Sequence, residues 1–179
     1  DAVRAATGLS CSICVAANGQ FHVTYVEKHR TTYALAVYHR SSSDKGVTWT
    51  DAKNLSEEMP DIQTGYGVVL ADGKDRIYAI WRAGLGVNSP ANPYPSSTSH
   101  ANLVYRVLEN GKWGKLEEIS QGGPDLHVRT AVDAKGQVWM VWQGFREGRS
   151  RILARAYAGG KWGDVVAVSG NSANAWYPA

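Results

Sequence analysis

Residues 103–114 read LVYRVLENGKWG, and residues 152–163 read ILARAYAGGKWG. The two stretches share an arginine at the fourth position and a Gly-Lys-Trp-Gly ending, so that Trp162 follows Trp113 by 49 residues. Self-similarity at a fixed period indicates a chain built from repeats of one supersecondary unit. The alternating residues before each Gly predict a β-strand that ends in a tight turn.

A further copy of this pattern lies earlier in the chain. Residues 35–49, LAVYHRSSSDKGVTW, place Trp49 in the position of Trp113, 64 residues before it. The 15 extra residues of this interval have an evident location, because residues 83–100 are rich in turn-forming residues and hold three of the six prolines. Since proline cannot donate to the ladder of a central strand, we predict an inserted loop at 83–100.

Each repeat also carries a short aromatic-rich strand before this pattern: QFHVTY at 20–25, RIYAIW at 76–81 and GQVWMVW at 136–142. Together these signals give four strand candidates, a to d, per repeat of about 50 residues, which is the pattern of a β-propeller blade. The predicted strands a to d are 11–17, 20–26, 33–40 and 49–55 in the first blade, 66–71, 76–82, 102–107 and 113–120 in the second, and 127–133, 137–143, 151–157 and 162–169 in the third.

The predicted fold class is therefore all-β, a single propeller unit over residues 1–179 with blades at about 10–56, 64–120 and 126–169. Residues 170–179 are predicted to start a next blade or to form a closing strand. Three blades cannot close a ring, and an open stack leaves apolar sheet faces and strand edges in water. We therefore expect other material to complete the ring, either a homodimer with six blades or the remaining blades of a longer polypeptide.

Composition excludes several classes of protein. A formal net charge of +3 without a Lys/Arg run or zinc-finger spacing does not indicate nucleic-acid binding. No apolar stretch approaches the roughly 18 residues that span a bilayer. Cys11 and Cys14 form a C-x-x-C, but residues three apart on a strand point to opposite faces, so we expect two separate thiols. We predict no metal and no cofactor.

The segment SSDKGVTW at 42–49 resembles the Asp-box, S-x-D-x-G-x-T-W, of bacterial-neuraminidase (BNR) repeats in sialidases and other propellers. The matching residues are Ser42, Asp44, Gly46, Thr48 and Trp49. Asp44 and Ser42 can hydrogen-bond the backbone of their own turn, Gly46 allows a left-handed residue, and we expect Trp49 in the space between sheets. In the family, the box is a fold element on the face away from the active site.

The resemblance implies a sialidase-like propeller that recognises glycans. It does not extend to the sialidase active site, because the F/Y-R-I-P motif of the first sialidase blade is replaced by LSCSIC at 9–14. Propellers of this resemblance are often exported, so we expect a secreted, periplasmic or cell-surface protein.

One face of such a propeller collects the loops that join strand b to c and strand d to the next a. This face surrounds the channel and is the default binding site. Here it is expected to carry arginines alternating with carboxylates and aromatic residues. The ligand-binding candidates are Arg82, Tyr94, His100, Arg129, Arg146, Arg149, Arg151 and Trp176.

Arg129 is the most informative of these candidates. Alignment of the a strands places it where the others have Ser12, Gly67 and Pro178. A long cation in place of small residues predicts a bidentate partner for a ligand carboxylate or sulfate. The alternative is an ion pair with Asp125 or Asp61.

Two kinds of catalysis are compatible with these residues. His127 with Tyr66 and Arg129 would resemble the His/Tyr/Arg sites of propeller polysaccharide lyases, in which a cation neutralises a uronate before proton abstraction. Hydrolysis would need two carboxylates about 5 to 10 Å apart, for which Asp61 and Asp125 are the candidates. The functional hypotheses are therefore a glycan-binding unit, a lyase or glycoside hydrolase completed by partner blades, and a scaffold for protein–protein contact.

Overall fold

The structure is a computed structural model that describes residues 10–28, 35–59, 62–85, 101–121, 124–170, 174–176 and 178. The first sheet contains, in spatial order, β1 (Ser10–Val15), β2 (Phe21–Lys28), β3 (Leu35–Ser42) and β4 (Lys53–Asn54). The second contains β5 (Ile62–Ala71), β6 (Ile77–Leu85), β7 (Asn102–Glu109) and β8 (Lys112–Trp113), with β9 (Glu117–Glu118) also paired to β7. The third contains β10 (Asp125–Val132), β11 (Val138–Arg146), β12 (Arg149–Ala158) and β13 (Lys161–Trp162), with β14 (Val166–Ala167) also paired to β12.

These sheets confirm the predicted all-β fold of antiparallel blades, which we number 1 to 3. The described residues contain no helix, and hence none long and apolar enough to cross a membrane. The outermost strand is shorter than predicted in every blade. In blades 2 and 3 it is broken into two pairs of residues, and in blade 1 only β4 remains.

The hydrogen bonds of the outer strand show that the three blades share one register. The N–H after the repeated tryptophan donates to the third strand in each blade: Thr50 to Ser41 (2.9 Å), Gly114 to Val107 (2.8 Å) and Gly163 to Ala156 (2.8 Å). A serine Oγ near the end of each blade accepts a hydrogen bond from a backbone N–H of the third strand: Ser56 from Val37 (3.0 Å), Ser120 from Leu103 (2.8 Å) and Ser169 from Ile152 (3.0 Å). The predicted equivalence of Trp49, Trp113 and Trp162 is therefore confirmed.

Among the strand boundaries that differ from the prediction, two change the positions of predicted loop residues. Strand β6 continues to Leu85, so that residues 83–85, predicted in the inserted loop, belong to a strand. The hairpin between β11 and β12 turns on Glu147 and Gly148 alone, with φ of 51° and 75°. Two consecutive residues with positive φ form the tight turn that matches the twist of a hairpin. Arg146 and Arg149, predicted in a loop here, consequently lie in strands, and Arg151, predicted at the start of strand c, lies in β12.

Apolar cores lie between the blades rather than within them. Val26, Val37 and Leu55 of blade 1 pack against Trp81 and Val104 of blade 2. Blades 2 and 3 share a larger core, in which the buried residues include Tyr78, Ile80, Leu103, Ile119, Met140, Trp142 and Leu153. Because burial of one large apolar side chain contributes about 1.5–3 kcal/mol, these cores hold the blades together.

Two arginines also connect neighbouring blades. Arg106 of blade 2 donates from Nε to the carbonyl oxygen of Leu55 in blade 1 at 2.8 Å. Arg155 of blade 3 donates from Nη1 to the carbonyl oxygen of Ile119 in blade 2. These are the arginines shared by the repeated stretches, so their repetition reflects a blade-to-blade contact.

The turn at 42–49 has the hydrogen bonds expected of it. The Asp44 carboxylate accepts the Thr48 N–H at 2.8 Å and the Thr48 hydroxyl at 2.6 Å, and these bonds lower the pKa of Asp44 to about 2. The Ser42 Oγ donates to Asp44 and accepts the Gly46 N–H at 2.8 Å. Two residues are left-handed, Lys45 (φ 60°) and Gly46 (φ 89°).

The two cysteines are separate thiols, as predicted. Cys11 is exposed, whereas Cys14 is partly buried and its pKa is raised by burial to about 12. A thiol with so high a pKa remains protonated and is a poor nucleophile.

Candidate functional site

A group of two arginines and a histidine lies at the channel end of blades 2 and 3, on the face of the b–c and d–a loops. Arg82 belongs to β6, and His127 and Arg129 belong to β10. We call these three residues the arginine–histidine cluster. The register of β10 shifts between Leu126 and Arg129, and His127 has a φ of 52°, which are the features of a β-bulge.

The bulge changes the predicted alignment of Arg129. Arg129 pairs with Val141 just as Ser12 pairs with Thr24 and as Val68 pairs with Ile80. Its equivalent in blade 2 is therefore Val68, and the prediction of Gly67 was wrong by one residue. The cause is a register shift in both blades, since β5 carries a similar irregularity between Gly65 and Val68.

The electrostatics of the cluster favour a neutral histidine. Burial lowers the pKa of His127, and the positive charges of Arg129 and Arg82 lower it further. Arg129 is exposed and donates from Nη1 to the carbonyl oxygen of Val128 at 3.0 Å. Arg82 lies against Gly65, where an added Cβ would be 3.5 Å from its Nη2. Two guanidinium groups from neighbouring blades thus flank an unprotonated imidazole.

Asp125 is fully buried below this surface and pairs with Arg146 rather than with Arg129. Its Oδ1 accepts from the indole Nε1 of Trp142 at 2.8 Å and from Nη2 of Arg146 at 2.9 Å. Arg146 also donates to the carbonyl oxygen of Gln121 at 2.9 Å. Burial raises the pKa of Asp125, and its hydrogen bonds and the Arg146 charge oppose that shift. This geometry assigns the carboxylate to anchoring the loop before β10, so it is not presented to a ligand.

Gly144 makes this arrangement possible, and sequence reasoning missed it. An added Cβ would lie 2.7 Å from both Oδ1 of Asp125 and Cδ1 of Leu153. Contacts below 3.0 Å require the surrounding atoms to move. The signal in the sequence was a glycine interrupting an apolar strand, which often marks a close approach of another group.

The remaining arginines of blade 3 lie close to the hairpin. Arg151 donates to the Glu147 carboxylate at 2.8 Å, and Arg149 is exposed at the start of β12. Trp176 is exposed as well, next to Ala175, whose N–H donates to the carbonyl oxygen of Ser150 at 3.0 Å. The structure therefore leaves Arg149 and Trp176 accessible, while Arg146 and Arg151 are held by carboxylates.

Several predicted site residues lie outside the described residues. These are Asp61, Tyr94 and His100, together with the side chain of Tyr66. The spacing of Asp61 and Asp125 is consequently not tested. Among the described residues, no group of three or more His, Cys, Asp or Glu side chains is placed to hold a metal ion.

A cavity of about 290 Å³ lies at the opposite end of blades 1 and 2, lined by their turns. The Asp75 carboxylate accepts the Asn18 N–H at 3.1 Å, and Arg76 pairs with Asp72 at 2.7 Å. Two of the charged residues that line this cavity, Asp75 and Arg76, thus already serve the turns. The cavity lies at the opposite end of the blades from the arginine–histidine cluster, which we favour because the cluster lies on the face of the b–c and d–a loops.

His22, which also lines that cavity, forms a buried pair with His39. Nδ1 of His22 lies 3.0 Å from Nε2 of His39, and the two rings stack. The His39 ring also contacts the edge of Trp113 in blade 2 at 5.0 Å between centroids. Burial, reinforced by His22, lowers the pKa of His39 to about 3.

Comparison with known proteins shows the fold and not the family. No protein-family model and no curated protein matches the chain. A polysaccharide lyase, PL25 ulvan lyase, matches with a TM-score of 0.61 and 13% identity over 88% of this chain and 43% of its own. Its complex with -[GlcA(1-4)Rha3S]- gives a TM-score of 0.58 and 13% identity over 87% and 42%. The GH93 α-L-arabinofuranosidase of Fusarium graminearum, in complex with arabinobiose, matches with a TM-score of 0.55 and 12% identity over 83% of this chain and 44% of its own.

The chain spans less than half the length of these proteins. At such low identity the match shows that the three sheets are blades of a β-propeller. The resemblance of the 42–49 turn to an Asp-box remains a resemblance of sequence and of hydrogen bonding.

Proposed function

We propose that this chain binds an acidic glycan at the arginine–histidine cluster. The observation that carries the proposal is that Arg82 and Arg129, from neighbouring blades, both lie near enough to His127 for their charges to lower its pKa. Guanidinium groups bind carboxylates and sulfates through two parallel hydrogen bonds, and a neutral imidazole can both donate to and accept from a sugar hydroxyl. The nearby exposed Arg149 extends the positive surface.

The structural comparisons support a glycan ligand. One matching lyase structure contains a glucuronate and a sulfated rhamnose, and the matching arabinofuranosidase contains arabinobiose. Uronate and sulfate are the groups that paired arginines recognise. A sialidase-like specificity gains no comparable support, because the sialidase motif is absent from the first blade.

A second candidate function is polysaccharide lysis. It is favoured by the lowered pKa of His127, since a general base must be unprotonated at the working pH. Arg129 or Arg82 would neutralise the uronate, and Tyr66 would complete the constellation. Glycoside hydrolysis is less favoured, because the Asp125 carboxylate is buried and paired with Arg146.

The two candidates are separated by incubation with uronate-containing and sulfated polysaccharides. Binding is measured calorimetrically, and cleavage by new reducing ends and by absorbance of an unsaturated uronate. A glycan-binding unit gives binding without either product, whereas a lyase gives both.

Arg129→Ala should weaken binding by about tenfold or more, because a charge-assisted hydrogen bond contributes about 1.5–3 kcal/mol. Lys161→Ala, which removes an exposed cation at the other end of blade 3, is the matched control and should have no effect. Absence of binding to every acidic glycan would overturn the proposal and favour a protein–protein scaffold.

We also propose an exported location, secreted, periplasmic or at the cell surface, where acidic polysaccharides occur. The ring of blades would be completed by a second copy or by blades of a longer polypeptide. Residues of the second copy, or of the further blades, would then also line the end of the channel at which the arginine–histidine cluster lies.

A further inference from the structure

The arginine contacts between blades recur at one position of the repeat. Arg106 pairs across its sheet with Ala79, and Arg155 pairs across its sheet with Met140. Each arginine donates to a backbone carbonyl oxygen of the preceding blade, Arg106 to that of Leu55 and Arg155 to that of Ile119. Both acceptor residues directly precede the repeated serine of their blade. The contact therefore needs an arginine on one blade and a free carbonyl on the blade before it.

Blade 1 carries the same arginine without the same contact. Arg40 pairs across the sheet with Val23, which is the position of Ala79 and Met140 in the other blades. The Arg40 Nε is buried, yet no acceptor lies within hydrogen-bond distance of it in the part of the chain that the structure describes. A buried donor without an acceptor is costly and indicates a missing partner.

The matching acceptor lies on blade 3. Val168 precedes Ser169, and its N–H donates to the carbonyl oxygen of Ile152 at 2.8 Å, just as the N–H of Leu55 donates to Val37. Leu55 and Ile119 are 1% and 2% exposed, because the next blade covers them, whereas Val168 is 62% exposed.

The surface around Val168 is the face that the next blade covers elsewhere in the repeat. Trp139, on the second strand of blade 3, is 43% exposed, while its equivalent Tyr78 in blade 2 is fully buried. Val166 is 59% exposed on the same face. We call this surface, formed by Trp139, Val166 and Val168, the open face of blade 3.

Blade 1 presents a complementary surface. Ile13 pairs with Val23, which pairs in turn with Arg40, so these three residues share one face of the sheet. Ile13 is 59% exposed. Trp49 belongs to the same surface, because its equivalents Trp113 and Trp162 each pack edge-on against a ring of the preceding blade. Ile13, Arg40 and Trp49 form the open face of blade 1, and Val23 on the same side of the sheet is 5% exposed.

We propose that the open face of blade 1 docks on the open face of blade 3 of a second copy of this chain. Arg40 of one copy then donates to the carbonyl oxygen of Val168 in the other. Trp49 then packs on Ala154 of the other copy. Ala154 is the equivalent in blade 3 of His39 in blade 1 and Tyr105 in blade 2, on which Trp113 and Trp162 pack. Two copies form two identical junctions and close a ring of six blades about a twofold axis.

A second copy is the favoured occupant because one chain carries both halves of the contact. The junction continues a pattern already made twice, between blades 1 and 2 and between blades 2 and 3. The proposal is independent of the glycan proposal, since none of its residues belongs to the arginine–histidine cluster.

Sedimentation equilibrium of the 179-residue chain tests the proposal. We expect twice the 19.4 kDa mass of the chain. Val168→Lys places a second cation against Arg40 in the junction and should give a 19.4 kDa species that retains its circular dichroism, because Val168 is already exposed in a single copy. Val47→Lys is the matched control: Val47 is 66% exposed on the 42–49 turn, and the dimer should persist.

Mixing variants tests the head-to-tail geometry. Arg40→Ala and Val168→Lys each weaken both junctions of their own dimer. A heterodimer of the two places both substitutions in one junction and leaves the other junction wild type, so mixing should restore dimers in part. A wild-type chain of single mass would overturn the proposal and leave a further blade of a longer polypeptide as the occupant. A dimer unaffected by either substitution would overturn it as well.

Discussion

Arg146 and Asp125 form an ion pair of 2.9 Å, in which the carboxylate is fully buried and the guanidinium is partly exposed. The pair joins the last residue of β11 to the first residue of β10 at the end of the sheet where a ligand is proposed to bind. Without the Arg146 cation, the buried Asp125 carboxylate would keep only two side-chain donors, the Trp142 indole and the Ser120 hydroxyl.

Arg146→Ala should therefore destabilise the protein by about 3 kcal/mol, as measured by urea unfolding. The double variant with Asp125→Asn should recover part of the loss, because no charge is then left without its partner. Equal and additive losses for the two substitutions would show that the residues do not act as a pair.

Gly144→Ala should destabilise the protein by about 1–3 kcal/mol, because the new methyl group overlaps Asp125 and Leu153. Thermal unfolding followed by circular dichroism measures the effect. Gly73→Ala is the control, since a Cβ at Gly73 meets no atom within 4 Å. Similar shifts in the two variants would mean that the close approach at Gly144 is not what requires glycine.

Stability should fall on acidification because of His39. Its pKa is about 3 in the folded state against 6.5 ordinarily, so the unfolded chain binds the proton more readily. The contribution of His39 is complete above about pH 6.5 and is lost as the pH falls towards 3, by on the order of 2–3 kcal/mol at pH 4.5.

Urea unfolding at pH 7 and pH 4.5 measures this loss. His39→Phe keeps an aromatic ring against Trp113 and removes the titrating group, so the difference between the two pH values should shrink. An unchanged difference in the variant would assign the pH dependence to other groups, of which His22 is the nearest.

Asp44→Ala should lower the melting temperature, because the turn loses the bonds from Thr48 and Ser42 to the carboxylate. Glycan binding should not change, since the turn lies at the opposite end of the blades from the arginine–histidine cluster. Asp51→Ala, at an exposed position just beyond the turn, is the control. A loss of glycan affinity in Asp44→Ala would contradict this separation of roles.

The blades could be predicted because strand alternation, turn residues and a repeated tryptophan all indicate the same unit. The equivalence of Arg40 with Arg106 could also have been found in the sequence, although Arg40 lies two residues further from Trp49 than Arg106 lies from Trp113. It was missed because the turn of blade 1 at 42–49 is two residues longer than its counterparts, so an alignment anchored on Trp49 displaces the preceding strand.

The candidate site was predicted less completely, for a physical reason. A β-bulge inserts one residue without a marker in the sequence, so the position of Arg129 relative to its neighbours could not be derived from spacing alone. Burial was equally hidden: Asp125 and Arg129 are both polar residues near a strand end, yet the fold buries the first and exposes the second.

The most direct test of the glycan proposal compares one uronate-containing oligosaccharide with its carboxyl-reduced counterpart by calorimetric titration. The two ligands differ only in the group that Arg82 and Arg129 are proposed to bind. We predict that the acidic form binds about tenfold tighter or more, and that the difference disappears in the Arg82→Ala/Arg129→Ala double variant. Equal affinity of the wild-type protein for the two forms would contradict recognition of the acidic group by this cluster.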